Sequence, residues 1–436
     1  MDCIGTQNLR KVLEYKVRQF SDKEFLVFED QEGYVISYTY RQFDEMVNRY
    51  ATILMSTGIK KGDKVTVHLS NSPEFLFSFF ACAKIGVVIV PTNILSGVPE
   101  MEYFLDFSDA VGVITEPRYM ELFDSLLGKC KKVQQVFVAR TVPGYPHSAL
   151  YPHATVIADA LKDAPKDLPE VPIQCEDVLM MLFTHDPVRP KAVQLTHANA
   201  VFAGIFGAQA WKVVPQDRHF ITLPLFHVNG QFISLIPSLT AGATLIITEQ
   251  FSAAKFMKQA RRHRATTASV VGAMVRMILS EPPAEHDAEH CLRLIMYAIS
   301  VTDEEWDAFE SRFRVRLCDL WGMTETLGAT TVNPIDGILK KNCIGMPRLG
   351  TAVMVVDEHA AEVPAGTVGE LVVQGVPGRT IMKGYYKNPD ATSATIRNGW
   401  LHTGDYAYMD EAGYFHFVGR KKDAAVSPHV RVISEQ

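Results

Sequence analysis

Short apolar runs alternate along the chain with segments whose apolar positions recur at helical spacing. Lys64–Leu69 (Lys-Val-Thr-Val-His-Leu) is apolar and β-branched, which predicts a strand. Ser72, Pro73 and Glu74 then supply a cap, a first-turn proline and an early acid. They predict a helix that runs to about Ile85 and stops at Gly86. Val87–Val90 and Gly112–Thr115 read as further strands, and a β-α-β order with fully apolar strands predicts a parallel sheet covered on both faces. The same texture resumes near Asp177. Leu179–Phe183, His219–Leu223, Ala243–Thr248, Thr267–Val271 and Arg293–Tyr297 read as strands. Thr196–Ala210, Phe256–His263 and Glu304–Arg312 read as helices, the first capped by Thr196. Val142–Pro172, rich in Pro, Ala and Asp, reads as a surface connector. From Gly345 the strand-like pieces are short and punctuated by Gly or Pro: Val353–Asp357, Gly369–Gln374, Trp400–His402, Tyr406–Met409 and Tyr414–Val418. The fold class expected is α/β: two parallel-sheet α/β subdomains, about 1–175 and 176–344, and a small β-barrel-like subdomain, about 345–423.

Composition narrows the function classes. The 436 residues are 47% hydrophobic and 21% charged with a formal net charge of -6, as in ordinary globular proteins. Mild acidity without a Lys/Arg cluster argues against a nucleic-acid surface. The seven cysteines stand singly with no Cys-x-x-Cys pair, which argues against zinc and for reduced thiols in a cytoplasmic protein. Met1–Arg10 has no apolar core of a signal peptide, and Phe75–Val90 is broken by Lys84 and Gly86, short of the ~20 residues of a membrane span. The sequence does not fix an oligomeric state.

Four motifs carry candidate chemistry. Trp321-Gly322-Met323-Thr324-Glu325-Thr326 follows the strand Arg316–Asp319. A glycine there lets a ligand approach the backbone, the Thr hydroxyl suits a phosphate oxygen and the Glu carboxylate suits Mg²⁺; the same run also suits a plain capped turn. Gly399-Trp400-Leu401-His402-Thr403-Gly404-Asp405 places an acid that could accept from two ribose hydroxyls or close an Asx turn. Gly419-Arg420-Lys421-Lys422-Asp423 is either an anion-facing cation or a charged turn. His227, within Pro224–Gln231, either lines a pocket or is a hydrogen-bonded core residue.

In this order the four motifs resemble the adenylate-forming superfamily of acyl–CoA ligases, luciferases and peptide-synthetase adenylation domains. The family's Tyr-Gly-Met-Thr-Glu has Trp321 in place of Tyr; its Gly-Trp-x-x-Thr-Gly-Asp matches Gly399–Asp405, and its Gly-Arg-x-Lys-Asp matches Gly419–Asp423. Gly62–Val65, Asn71–Phe75, Lys84–Gly86 and Val90–Asn93 also fit, and the wording of Gly58–Leu69, Ala265–Leu279 and Pro377–Pro389 resembles the crotonobetaine/carnitine–CoA ligase branch. The resemblance implies ATP-dependent activation of a carboxylic acid to an acyl-adenylate and then an acyl-CoA, with ATP, Mg²⁺ and CoA taking part. It implies that Tyr297, Ala298 and Ile299 bracket the adenine, where the family usually has Gly-Ala, and that Trp321 stacks near the base within Trp321-Gly322-Met323. It further implies Thr324 on the α-phosphate, Glu325 on Mg²⁺, Asp405 on the ribose, Arg420 on ribose and phosphate, His227 between nucleotide and acyl group, and Asp423 as a hinge. Thr184 and Lys191 flank the phosphate loop. A carnitine-like cation would need an aromatic or acidic cage, for which Phe206, Trp211, Phe226 and Phe232 are available, although aromatics there equally suit core.

Two stretches depart from the pattern. The family's Thr-Ser-Gly-Thr-Thr-Gly-x-Pro-Lys-Gly loop here reads Thr184-His185-Asp186-Pro187-Val188-Arg189-Pro190-Lys191-Ala192. Pro187 lacks an N–H and Asp186 is anionic, so a phosphate cradle loses charge-assisted bonds of about 1.5–3 kcal/mol each. After Asp423 the family continues into a domain of roughly a hundred residues bearing a catalytic lysine, of the kind often worth ~10²–10³ in rate. Here Ala424–Gln436 matches nothing in that domain, and the expectation is that the domain is missing. The alternative function is therefore a non-catalytic nucleotide- or acyl-adenylate-binding remnant.

Overall fold

The computed structural model describes residues 3–139, 153–184 and 190–421. Most of Thr184–Lys191, the Asp423 hinge and the 424–436 tail therefore lie outside the described residues.

The first sheet has eight strands. Its order is Gly384–Tyr385, Ala192–Thr196, Val178–Phe183, Val88–Pro91, Lys64–His68, Ala110–Thr115, Gln135–Val138 and Thr155–Val156. Lys64–His68 lies parallel to both Val88–Pro91 and Ala110–Thr115, while Val178–Phe183 and Ala192–Thr196 form an antiparallel hairpin. The second sheet has nine: Met346–Pro347, Thr331–Val332, Arg316–Trp321, Leu294–Ala298, Thr267–Val271, Arg218–Ile221, Thr244–Thr248, Glu24–Glu29 and Val35–Thr39. Its six strands from Arg316–Trp321 to Glu24–Glu29 are all parallel. The third is antiparallel, built from Ala352–Val356, Gly369–Gln374, Trp400–Met409, Ile396–Arg397 and Phe415–Arg420. The fold is thus mixed α/β: two sheets with parallel centres and one small antiparallel sheet.

The sheets are not colinear with the chain, so a cut at 175/176 does not follow them. Glu24–Thr39 joins the second sheet, and Val178–Thr196 joins the first. Ala192–Thr196 is a strand that feeds straight into the helix His197–Ala210, and Trp400–Met409 is one continuous strand rather than two.

Helices Leu9–Phe20, Tyr40–Ser56, Pro73–Ile85 and His197–Ala210 pack together, and the largest core cluster runs through them to strand residues of both large sheets, among them Val65, Leu179, Phe25 and Leu245. Pro73–Ile85 starts where expected, with the Ser72 side chain accepting from the Phe75 N–H, and ends at Gly86, whose φ of 71° only glycine adopts freely. Every residue of it but Glu74 is buried. Its Lys84 is neutralised by Asp44 at 2.6 Å and bonded to Asn48 at 2.8 Å. Thr196 and Asn199 form a capping box on His197–Ala210. They also reach the far end of the chain: Thr196 Oγ1 donates to Gly378 O at 2.6 Å and Asn199 Nδ2 to Ile381 O at 2.8 Å. Among the described residues no helix is long and apolar enough to cross a membrane.

Candidate active site

The strand Arg316–Trp321 delivers Trp321 at its C-terminal end. The chain then turns through Gly322 and a single 3₁₀ turn, Thr324–Thr326, before Gly328 at φ 91°. A Cβ at Gly322 would fall well inside contact distance of the Gly328 carbonyl, so only glycine lets the turn close this tightly. The Trp321 indole N–H donates to Asp405 Oδ2 at 3.0 Å, and Arg420 Nε lies 3.3 Å from Asp405 Oδ1. Asp405 and Arg420 are cross-strand partners in the third sheet. Three motifs separated by up to 99 positions in sequence numbering (321 to 420) thus meet at one carboxylate.

Asp405 does not close a turn. It sits inside the strand Trp400–Met409, where the pairing slips between Tyr406 and Ala407 and Gly404 has φ 72°; this irregularity aims its side chain at Trp321. Glu370, which the sequence did not single out, anchors the same spot. It accepts from the Gly404 N–H at 3.1 Å and lies 3.7 Å from Lys421 Nζ.

Thr324 is half-buried and Glu325 buried. The Tyr385 hydroxyl donates to Glu325 Oε1 at 2.8 Å, and Met382 N–H donates to the Glu325 carbonyl at 2.9 Å. Lys191 Nζ lies 4.2 Å from the centre of the Tyr385 ring. Thr184 and Lys191 close the hairpin: Thr184 N–H donates to Lys191 O, and Lys191 N–H to Thr184 Oγ1, each at 2.9 Å. Tyr385 therefore joins the phosphate-loop flank to Glu325, a role invisible in a sequence that offers only Gly-Tyr-Tyr. Burial, then the Glu325 charge, push its hydroxyl above the ordinary phenol range, so it remains a donor.

Leu294–Ala298 ends beside this site, and here one expectation is corrected. Tyr297 is 1% exposed, edge-on to Trp306 at 5.7 Å between ring centres, and its hydroxyl bonds Asp319. Its side chain belongs to the core and offers a ligand nothing; burial holds the Asp319 carboxyl well above the carboxylate range. Ala298 is half-buried, and Ile299 is 70% exposed at φ 70°, a conformation that costs a β-branched residue dearly. Gly272 backs this turn, since a Cβ there would overlap the Ile299 carbonyl.

His227 is exposed, and its Nδ1 accepts from the Asn229 N–H at 3.2 Å. It precedes a π-helical turn, Asn229–Leu235, a form often found at functional sites. Of the four candidate cage aromatics, Trp211 and Phe232 are core residues, while Phe206 and Phe226 are partly buried.

Residues 13–386 match the family model described as AMP-binding enzyme. Crotonobetaine/carnitine--CoA ligase of Citrobacter koseri is 34% identical over 423 residues, spanning 97% of this chain and 81% of that protein. The ligase of the same name from Proteus mirabilis is 34% identical over 427 residues, 96% and 81% of the two chains. Among solved structures, the anthranilate CoA ligase AuaEII in complex with anthranoyl-AMP superposes with a TM-score of 0.85 at 23% identity, covering 96% of this chain and 79% of that one. The N-terminal domain of FACL13 from Mycobacterium tuberculosis does so at 0.84 and 25% identity, covering 95% of this chain and 100% of that one. With a family match over most of its length and relatives at this identity, the chain belongs to the AMP-binding enzymes.

Proposed function

We propose that this protein is an acid–thiol ligase, which uses ATP to convert a carboxylic acid to an acyl-adenylate and then to a CoA thioester. The substrate carboxylate, already ionised at neutral pH, attacks the α-phosphorus in line; the bond to the β-phosphate breaks and pyrophosphate leaves. Asp405, held by Trp321 and Arg420, accepts from the ribose hydroxyls. Trp321 and the Gly322–Met323 backbone flank the base, with Ala298 and the Ile299 backbone opposite. Thr324 donates to the α-phosphate, and Lys191 and Thr184 face the phosphates. Glu325 suits Mg²⁺, an ion commonly held by one or two carboxylates and completed by substrate phosphate oxygens; the ion would neutralise charge on the leaving pyrophosphate. His227 stands between nucleotide and acyl group. The CoA thiolate then displaces AMP.

The observation that carries this reading is the meeting of Trp321, Asp405 and Arg420 beside the Glu325–Tyr385–Lys191 chain. The end-to-end match to an isolated N-terminal domain supports treating about 1–423 as the adenylate-forming unit, and seven unpaired cysteines support a cytoplasmic setting. The acid is a short or medium one, and carnitine-like acids are the first to test, from the relatives' names. ATP–pyrophosphate exchange should depend on added carboxylate, and Glu325→Gln should lower it by about 10²-fold while AMP binding, read by calorimetry, persists. AMP binding without exchange on any acid would instead mark a binding remnant.

A further inference from the structure

The third sheet breaks its own ladder at Asp405. Glu370 pairs with Tyr406 and Val372 with His402, so Leu371 alone stands opposite Thr403, Gly404 and Asp405. A regular antiparallel pair sets one residue opposite one, and the strand Trp400–Met409 therefore bulges here. On its other edge the bulge is still paired: Asp405 faces Arg420 across the ladder.

A bulge leaves backbone groups without ladder partners, and two side chains take them up. Glu370 Oε1 accepts from the Gly404 N–H at 3.1 Å. The Thr403 hydroxyl works in both directions. It donates to the Leu371 carbonyl at 2.6 Å and accepts from the Asp405 N–H at 3.1 Å. These bonds fasten all three bulged residues to the strand Gly369–Gln374, and the last ends on the backbone of the residue whose carboxylate meets Trp321 and Arg420. Glu370 is itself fixed at both oxygens: it is buried, and its Oε2 lies 3.3 Å from His402 Nδ1 and 3.7 Å from Lys421 Nζ. Without such a brace the surplus residues have slack, and a misplacement of about 1 Å at a positioned group can cost ~10²-fold.

We propose that Glu370 and Thr403 are positioning residues for the ribose of the nucleotide, acting through Asp405 rather than on the ligand. They hold the bulge in the conformation from which the Asp405 carboxylate accepts from the 2′- and 3′-hydroxyls. This rests on the ribose reading of Asp405 above, and it assigns recognition of those hydroxyls to a built bulge rather than to one carboxylate. The two braces differ in chemistry. Glu370 need only accept from an N–H, which a glutamine oxygen also does. Thr403 must donate and accept at once, which serine does and valine, of the same shape, does not.

The test is calorimetric titration of the full chain with AMP and with 2′,3′-dideoxy-AMP, neither of which requires turnover. The unaltered chain should bind AMP about ten- to a hundred-fold tighter than the dideoxy nucleotide. Thr403→Val and Glu370→Ala should each bring that ratio close to one, with dideoxy-AMP affinity unchanged. Thr403→Ser and Glu370→Gln should keep most of it. A merely structural role would weaken both nucleotides alike. A ratio preserved in folded Thr403→Val and Glu370→Ala therefore overturns this inference alone. Should both variants fail to fold, hydrogen exchange of the Gly404 and Asp405 amides in the unaltered chain decides: slow exchange is expected, and exchange as fast as in an open loop overturns the brace. Equal binding of the two nucleotides by the unaltered chain, or binding of neither, overturns the ribose reading and this inference with it.

Discussion

Three histidines show how single side chains set the acid limit of this fold. His68 Nδ1 shares a hydrogen bond with Thr92 at 2.9 Å, His219 Nδ1 with Thr267 at 2.8 Å, and His197 Nδ1 accepts from the Leu9 N–H at 3.3 Å. The Nε2 of each is enclosed without a partner. Burial lowers all three to about 4 from an ordinary 6.5. In the unfolded chain they take protons from pH 6.5 downwards, and in the folded chain only near pH 4. Their contribution is therefore complete above pH 6.5 and is lost as the pH falls from 6.5 towards 4, at about 1.4 kcal/mol per pH unit for each ring. Urea midpoints should hold steady from pH 8 to 7 and drop steeply from pH 6 to 5; a flat profile would contradict the burial of these rings. Ile299 presents the opposite case, an exposed side chain on a strained backbone. Ile299→Gly should raise stability by about 0.5–1 kcal/mol, read as a higher urea midpoint, because it releases a left-handed β-branched residue at no packing loss.

At the scale of elements, local chemistry explains which parts were legible. Ser72, Pro73 and Gly86 define one helix, and Thr196 caps another, because caps act within a turn of the chain. Thr267–Val271 and Gly369–Gln374 match their expected bounds because each carries a β-branched core, Val270–Val271 and Val372–Val373, within a short buried run. The helix Leu9–Phe20 and the strand Val35–Thr39 went unread. The latter is a largely exposed edge strand, held by pairing with Glu24–Glu29 in a sheet assembled from distant sequence. Asp405 was legible as a functional candidate but not as a strand residue, since a pairing slip leaves the same Gly-Asp signature as a turn. Tyr385 was not legible as a site residue, because its hydroxyl meets Glu325, 60 positions away, and its ring meets Lys191. The Trp321–Gly328 turn is the least forgiving element. Gly322→Ala drives a methyl into the Gly328 carbonyl, and backbone cannot yield as a flexible side chain does. That substitution should cost more than about 3 kcal/mol or prevent soluble expression, measured by the urea midpoint or recovered yield.

For the whole molecule, the arrangement of sheets matters more than any one of them. The chain crosses repeatedly between layers: its first strands complete the second sheet, and Gly384–Tyr385, late in sequence, completes the first. Tyr385 then bonds Glu325, while Trp321 from the second sheet holds Asp405 from the third. The groups proposed to grip the nucleotide are thus drawn from all three sheets. A ligand seated there bridges all three at once, like a keystone resting on separate stones. Departure of product then need not be a local event: loosening any one of these interlayer bonds slackens the grip of the others, and the pace of release becomes a property of how the layers settle against each other.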